Sequence, residues 1–94
     1  MSTLSHFQSQ CSAELVKLIN ALGYEASRLH VVNGREEAYI EADLGPVKVW
    51  IYDDGACWQG FGRDRVFEAI DYDSLADLQQ AFLSEVASAL SQKS

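Results

Sequence analysis

The segment Glu37-Ala38-Tyr39-Ile40-Glu41-Ala42-Asp43-Leu44-Gly45-Pro46-Val47-Lys48-Val49-Trp50-Ile51-Tyr52 decides the fold. Ala38, Ile40, Ala42 and Leu44 alternate with Glu37, Tyr39, Glu41 and Asp43, the period of two that a half-buried strand requires. With Gly45-Pro46 as the turn, Leu44 lies opposite Val47, Ala42 opposite Val49 and Ile40 opposite Ile51. One register therefore gathers every aliphatic residue of both strands on one side, and a slip of one residue would undo it. The same register sets Asp43 beside Lys48, Glu41 beside Trp50 and Tyr39 beside Tyr52. One face of this hairpin is dry, and the other is aromatic and acidic.

Further strands flank the hairpin. Turn residues divide the middle of the chain into strands near 28–32, 36–44, 46–53, 57–62 and 65–70. Asn33-Gly34 suits a two-residue hairpin, Asp53-Asp54-Gly55 a slightly longer one with Gly in the left-handed position, and Gly62-Arg63-Asp64 a further turn. Trp58 depends on the length of the second turn. A three-residue loop places it opposite Trp50 on the aromatic face, whereas a two- or four-residue loop sends it to the core beside Ile51.

Outside the strands the apolar period becomes helical. Leu4, Phe7, Cys11, Leu15, Leu18, Ile19 and Leu22 form one stripe that Gly23 ends, with Ser2, Thr3 or Ser5 as caps. Leu75, Leu78, Phe82, Val86 and Leu90 form a second stripe, which Asp73 or Ser74 caps, Ser74 and Asp77 approximating a capping box. Laying both stripes on the aliphatic sheet face gives the expected class: α+β, a two-layer sandwich with an N-terminal helix, a four- to five-stranded antiparallel meander and a C-terminal helix. The 94 residues, 48% of them apolar, suffice for one small domain over 1–94, with frayed ends at about 1–4 and 91–94.

Charge narrows the function. Fourteen Asp and Glu face seven Lys and Arg, a net charge of -7, and residues 36–54 hold six of the acids and a single Lys. Phosphate binding needs a cationic face, so direct nucleic-acid binding and adsorption to anionic lipid are both disfavoured. No apolar run is long enough to span a membrane and no signal peptide is evident, so the expected compartment is the cytoplasm. There Cys11 and Cys57, which lack metal-ligand spacing, are read as reduced packing thiols.

No catalytic constellation emerges, and the chain is read as a non-enzyme without cofactor or metal. Tyr52-Asp53-Asp54 and Asp71-Tyr72-Asp73 lack the ligand spacing of calcium loops, and turns and caps explain their acids. His6 and His30 have no second ligand nearby. Gly60-Phe61-Gly62 precedes strand-like residues rather than the helix that a phosphate loop must open, so a bulge, a bend or close helix approach explains its glycines. Arg63 and Arg65 form a basic spot expected to pair with Asp71, Asp73 or Glu68.

The remaining candidate is the aromatic, acidic face: Tyr39, Trp50, Tyr52 and Trp58 with Glu37, Glu41 and Asp43. Exposed aromatics rimmed by charge mark interaction surfaces, and carboxylates there select a basic protein partner. In size, acidity and element order the chain resembles small bacterial secretion chaperones, phage-encoded inhibitors and toxin-immunity proteins, which implies a non-enzymatic inhibitor, immunity-like or chaperone-like role. The alternative is a homodimer that uses the aromatic face for itself or for a small ligand.

Overall fold

A computed structural model describes residues 4–24, 29–33 and 38–91. The order is α1 (His6–Ala21), β1 (Leu29–Asn33), β2 (Ala38–Asp43), β3 (Val47–Ile51), β4 (Gly55–Gly60), β5 (Arg63–Glu68), a single 3₁₀ turn (Ala69–Asp71) and α2 (Leu75–Ser91). The five strands form one antiparallel sheet in sequence order. Both helices pack on the same face of it, giving the α+β meander sandwich expected from the pattern.

The central hairpin adopts the register its sequence dictates. Ile40 pairs with Ile51, Glu41 with Trp50, Ala42 with Val49 and Asp43 with Lys48. Gly45 opens the turn at a φ of 91°, its amide donates to Asp43 Oδ1 at 3.1 Å, and Leu44 N donates to Val47 O at 2.9 Å.

The outer hairpins differ from expectation. Asn33 pairs with Ala38 and so belongs to β1 rather than to the expected Asn33-Gly34 turn, of which Gly34 lies outside the described residues. Between β3 and β4 the turn is two residues long: Tyr52 N donates to Gly55 O at 2.8 Å around Asp53-Asp54, and no residue of the turn takes a positive φ. Between β4 and β5 the turn is Phe61-Gly62, with φ of 52° and 75°, rather than Gly62-Arg63-Asp64. Two consecutive positive φ values match the sense of strand twist, which is why this pair turns the chain despite the bulk of Phe. Both strands consequently begin two residues earlier than their sequence suggests.

Helix burial follows the stripes. Phe7, Cys11, Leu15 and Ile19 of α1 and Leu78, Phe82, Val86, Ala89 and Leu90 of α2 are buried against Ile40, Val49, Ile51, Ala56 and Phe67. Each large aliphatic or aromatic side chain here contributes roughly 1.5–3 kcal/mol by leaving water. Leu22 and Leu75, at the outer ends of the stripes, stay exposed. Ser5 caps α1 through a capping box with Gln8, and Gly23 N and Tyr24 N close its end on Asn20 O and Ile19 O. Ser74 Oγ accepts from Asp77 N at the start of α2.

One buried polar residue joins helix to sheet. Gln8 is 1% exposed, its Oε1 accepts from Ser5 N at 2.8 Å, and its Nε2 donates to Ala38 O at 2.7 Å and Ile51 O at 3.3 Å. It thereby satisfies carbonyls on two neighbouring strands that the helix layer shields from water.

Candidate functional site

Antiparallel pairing carries the two-residue period across the whole sheet, so the face turned away from the helices can be read row by row. His30, Glu41, Trp50, Cys57 and Val66 form the central row. On one side of it lie Val32, Tyr39 and Tyr52, and on the other Asp43, Lys48, Gln59 and Asp64. Among the described residues no helix packs on this face.

The face mixes aromatic and aliphatic side chains with carboxylates. The Tyr39 and Tyr52 rings lie 5.3 Å apart at 38°, and with Trp50 they are only half-buried. The Tyr39 and Tyr52 rings shield each other in part. Val66, on the edge strand, remains 65% exposed. Around them Glu41 stands 3.9 Å from His30 Nε2, and Asp64 Oδ1 accepts from Gln59 Nε2 at 2.6 Å. Asp43, Asp64 and Glu68 are exposed.

The structure thus brings together Tyr39, Trp50, Tyr52, Glu41 and Asp43 of the expected face, while Glu37 lies outside the described residues. Trp58 is a correction. Because the Asp53-Asp54 turn is even in length, Trp58 falls opposite Val49 on the helix side, 3% exposed. Its place on the outer face is taken by Cys57, directly across from Trp50. Cys57, Val66 and Glu68 were hidden from sequence reading, because the side of Cys57 depends on that turn length and those of Val66 and Glu68 also on the length of the Phe61-Gly62 turn.

On the helix side Trp58 Nε1 donates to Glu85 Oε1 at 3.1 Å, and Arg65 grips the same carboxylate through Nε at 2.5 Å and Nη2 at 3.2 Å. Arg65 therefore pairs with α2 rather than with Asp71, Asp73 or Glu68, and its guanidinium lies 5.5 Å from the centre of the Phe67 ring. The Arg65 hydrogen bond holds Glu85 below the usual carboxylate range; burial opposes it, and the Trp58 bond and the charges of Arg65 and Arg63 reinforce it. This cluster closes the open end of the core between β5 and α2.

The two thiols differ in environment. Burial pushes the Cys11 thiol up to about 12, and burial together with the charge of Asp64 raises that of Cys57, so neither is an activated thiolate at neutral pH. Both are free. Among the described residues no three His, Cys, Asp or Glu side chains converge as metal ligands, and no helix is long and apolar enough to cross a membrane. Compared with protein-family models, with curated proteins and with solved structures, the chain finds no match.

Proposed function

We propose that the protein is a non-enzymatic binding module that engages a basic protein partner through the outer face of its sheet. A single observation carries the reading: a five-stranded sheet has one face packed by both helices, and its other face sets Tyr39, Trp50, Tyr52 and Val66 in the open. Leaving such side chains in water forgoes the burial that stabilises a small domain, so their placement is best explained by contact with another surface. Tyrosine and tryptophan suit that contact because they bury large areas at small entropic cost.

Charge selects the kind of partner. Glu41 stands beside Trp50 and His30 in the central row and Asp43, Asp64 and Glu68 flank it, with Lys48 as the lysine of this face among the described residues. Two copies of this face would oppose their own carboxylates, whereas a basic surface would meet complementary charge and be steered toward it. An inhibitor, immunity-like or chaperone-like role follows from the same chemistry, and the two free thiols suit a reducing compartment such as the cytoplasm.

The test is affinity capture from the source cell by the wild-type protein, by a Tyr39→Ala/Trp50→Ala variant and by a control carrying Gln80→Ala on α2. The reading expects a basic protein retained by wild type and control, released by moderate salt and lost from the sheet variant. Equal recovery by all three proteins, or retention of self alone, would contradict it.

A further inference from the structure

At one end of the outer face the sheet opens into a groove of about 390 Å³. Tyr52, Cys57, Val66, Asp54, Glu68 and Ile70 are among the residues that line it. Among the described residues its lining carries no basic side chain, and neither Asp54 nor Glu68 is in an ion pair. Ile70 beside it is 87% exposed, the most exposed large apolar side chain of the described residues.

Gly55, which lines the groove, is required by the strand pairing beside it. A Cβ at this position would come within 2.6 Å of the Phe67 carbonyl oxygen, backbone that cannot swing aside. Gly55 pairs with Glu68 across β4 and β5, so its lack of a side chain lets the two strands approach closely where both border the groove. The groove lining combines an aromatic ring, apolar side chains and two carboxylates.

Resting on the outer-face reading above, we propose that this groove receives an arginine side chain of the basic partner. Three features of the lining match parts of that side chain. Val66 and Ile70 supply apolar surface for its methylenes. The Tyr52 ring offers a π face for a planar cation, which guanidinium stacks on more readily than ammonium. Glu68 and Asp54 supply oxygens for its fork of donors. The guanidinium is thus the anchor, and the wider acidic face steers it in.

Titration of the ¹⁵N-labelled protein with Nα-acetyl-arginine methylamide, followed by NMR, tests the groove without the partner. The expected result is saturable shifts concentrated at residues 54–57 and 66–70, with the uncharged citrulline analogue binding at least roughly fivefold more weakly. Glu68→Gln should weaken arginine binding by a similar factor, and Glu14→Gln on α1 should not. Shifts scattered over the acidic surface, equal weakening by both variants, or citrulline binding as well as arginine would overturn the proposal. The two readings fail separately. If a partner binds the Trp50 face and arginine does not titrate the groove, only the groove assignment falls; if arginine titrates the groove and capture ignores Tyr39→Ala/Trp50→Ala, only the partner reading falls.

Discussion

Trp50 and Trp58 lie on neighbouring strands and face opposite ways: Trp50 is half-exposed on the outer sheet face, and Trp58 is 3% exposed beneath α2. The difference arises from parity. In an even-length turn, residues eight apart on a hairpin reverse sides, and the two indoles therefore report on the two layers separately.

Their fluorescence should divide accordingly. Acrylamide is expected to quench one component of the emission readily, and Trp50→Phe should remove that component and leave a blue-shifted, weakly quenched residue from Trp58. If the Trp50→Phe protein quenches as readily as wild type, the outer face is not open.

How much of this was legible in sequence can be seen from the same pair. The register of β2 and β3 follows from the pairing of six aliphatic residues across Gly45-Pro46, because only one alignment keeps them together. Trp58 was not decidable, since Asp53-Asp54-Gly55 is compatible with turns of either parity and the tertiary fit makes the choice. The Phe61-Gly62 turn was masked by a residue whose own preference is for strands. Gln8 was invisible for a different reason: a polar residue in a first helical turn ordinarily faces water, and its burial appears only when α1 is laid on the sheet.

Gln8 gives a sharp stability test. Gln8→Leu leaves the Ala38 and Ile51 carbonyls and Ser5 N without that partner and should cost about 2–4 kcal/mol in urea unfolding. In Gln8→Glu, a carboxylate would face two carbonyl oxygens, so its folded-state pKa lies above the unfolded one. Its deficit relative to wild type should therefore be large at neutral pH and shrink as the carboxylate is protonated. A deficit independent of pH would contradict the hydrogen-bond assignment.

Glu85 has the opposite sign. Its folded-state pKa is depressed, chiefly by Arg65, so its contribution is present above the unfolded carboxylate pKa and is lost as pH falls through the folded value. Thermal unfolding across the acidic range should show wild type more stable than Glu85→Gln at neutral pH, with the two curves converging on acidification. A gap of constant size would show that Arg65 and Glu85 are not coupled.

The thiols should separate by burial. Cys11 is fully buried with its pKa near about 12, and the half-buried Cys57 is raised less. Iodoacetamide at neutral pH is expected to label the native protein slowly and only at Cys57, with Cys11 reacting after unfolding. The Cys57 rate should keep rising with pH beyond the ordinary thiol range near about 8.5. Rapid labelling at neutral pH would contradict the environment assigned to Cys57.

The outer face as a docking surface is the central claim, and site-specific photo-crosslinking in the source cell addresses it most directly. A benzophenone amino acid in place of Trp50 is predicted to capture one basic protein, and the same group in place of Gln80 on α2 is predicted to capture none. Adducts from the helix position with none from the sheet position, or only a self-adduct at position 50, would contradict the account.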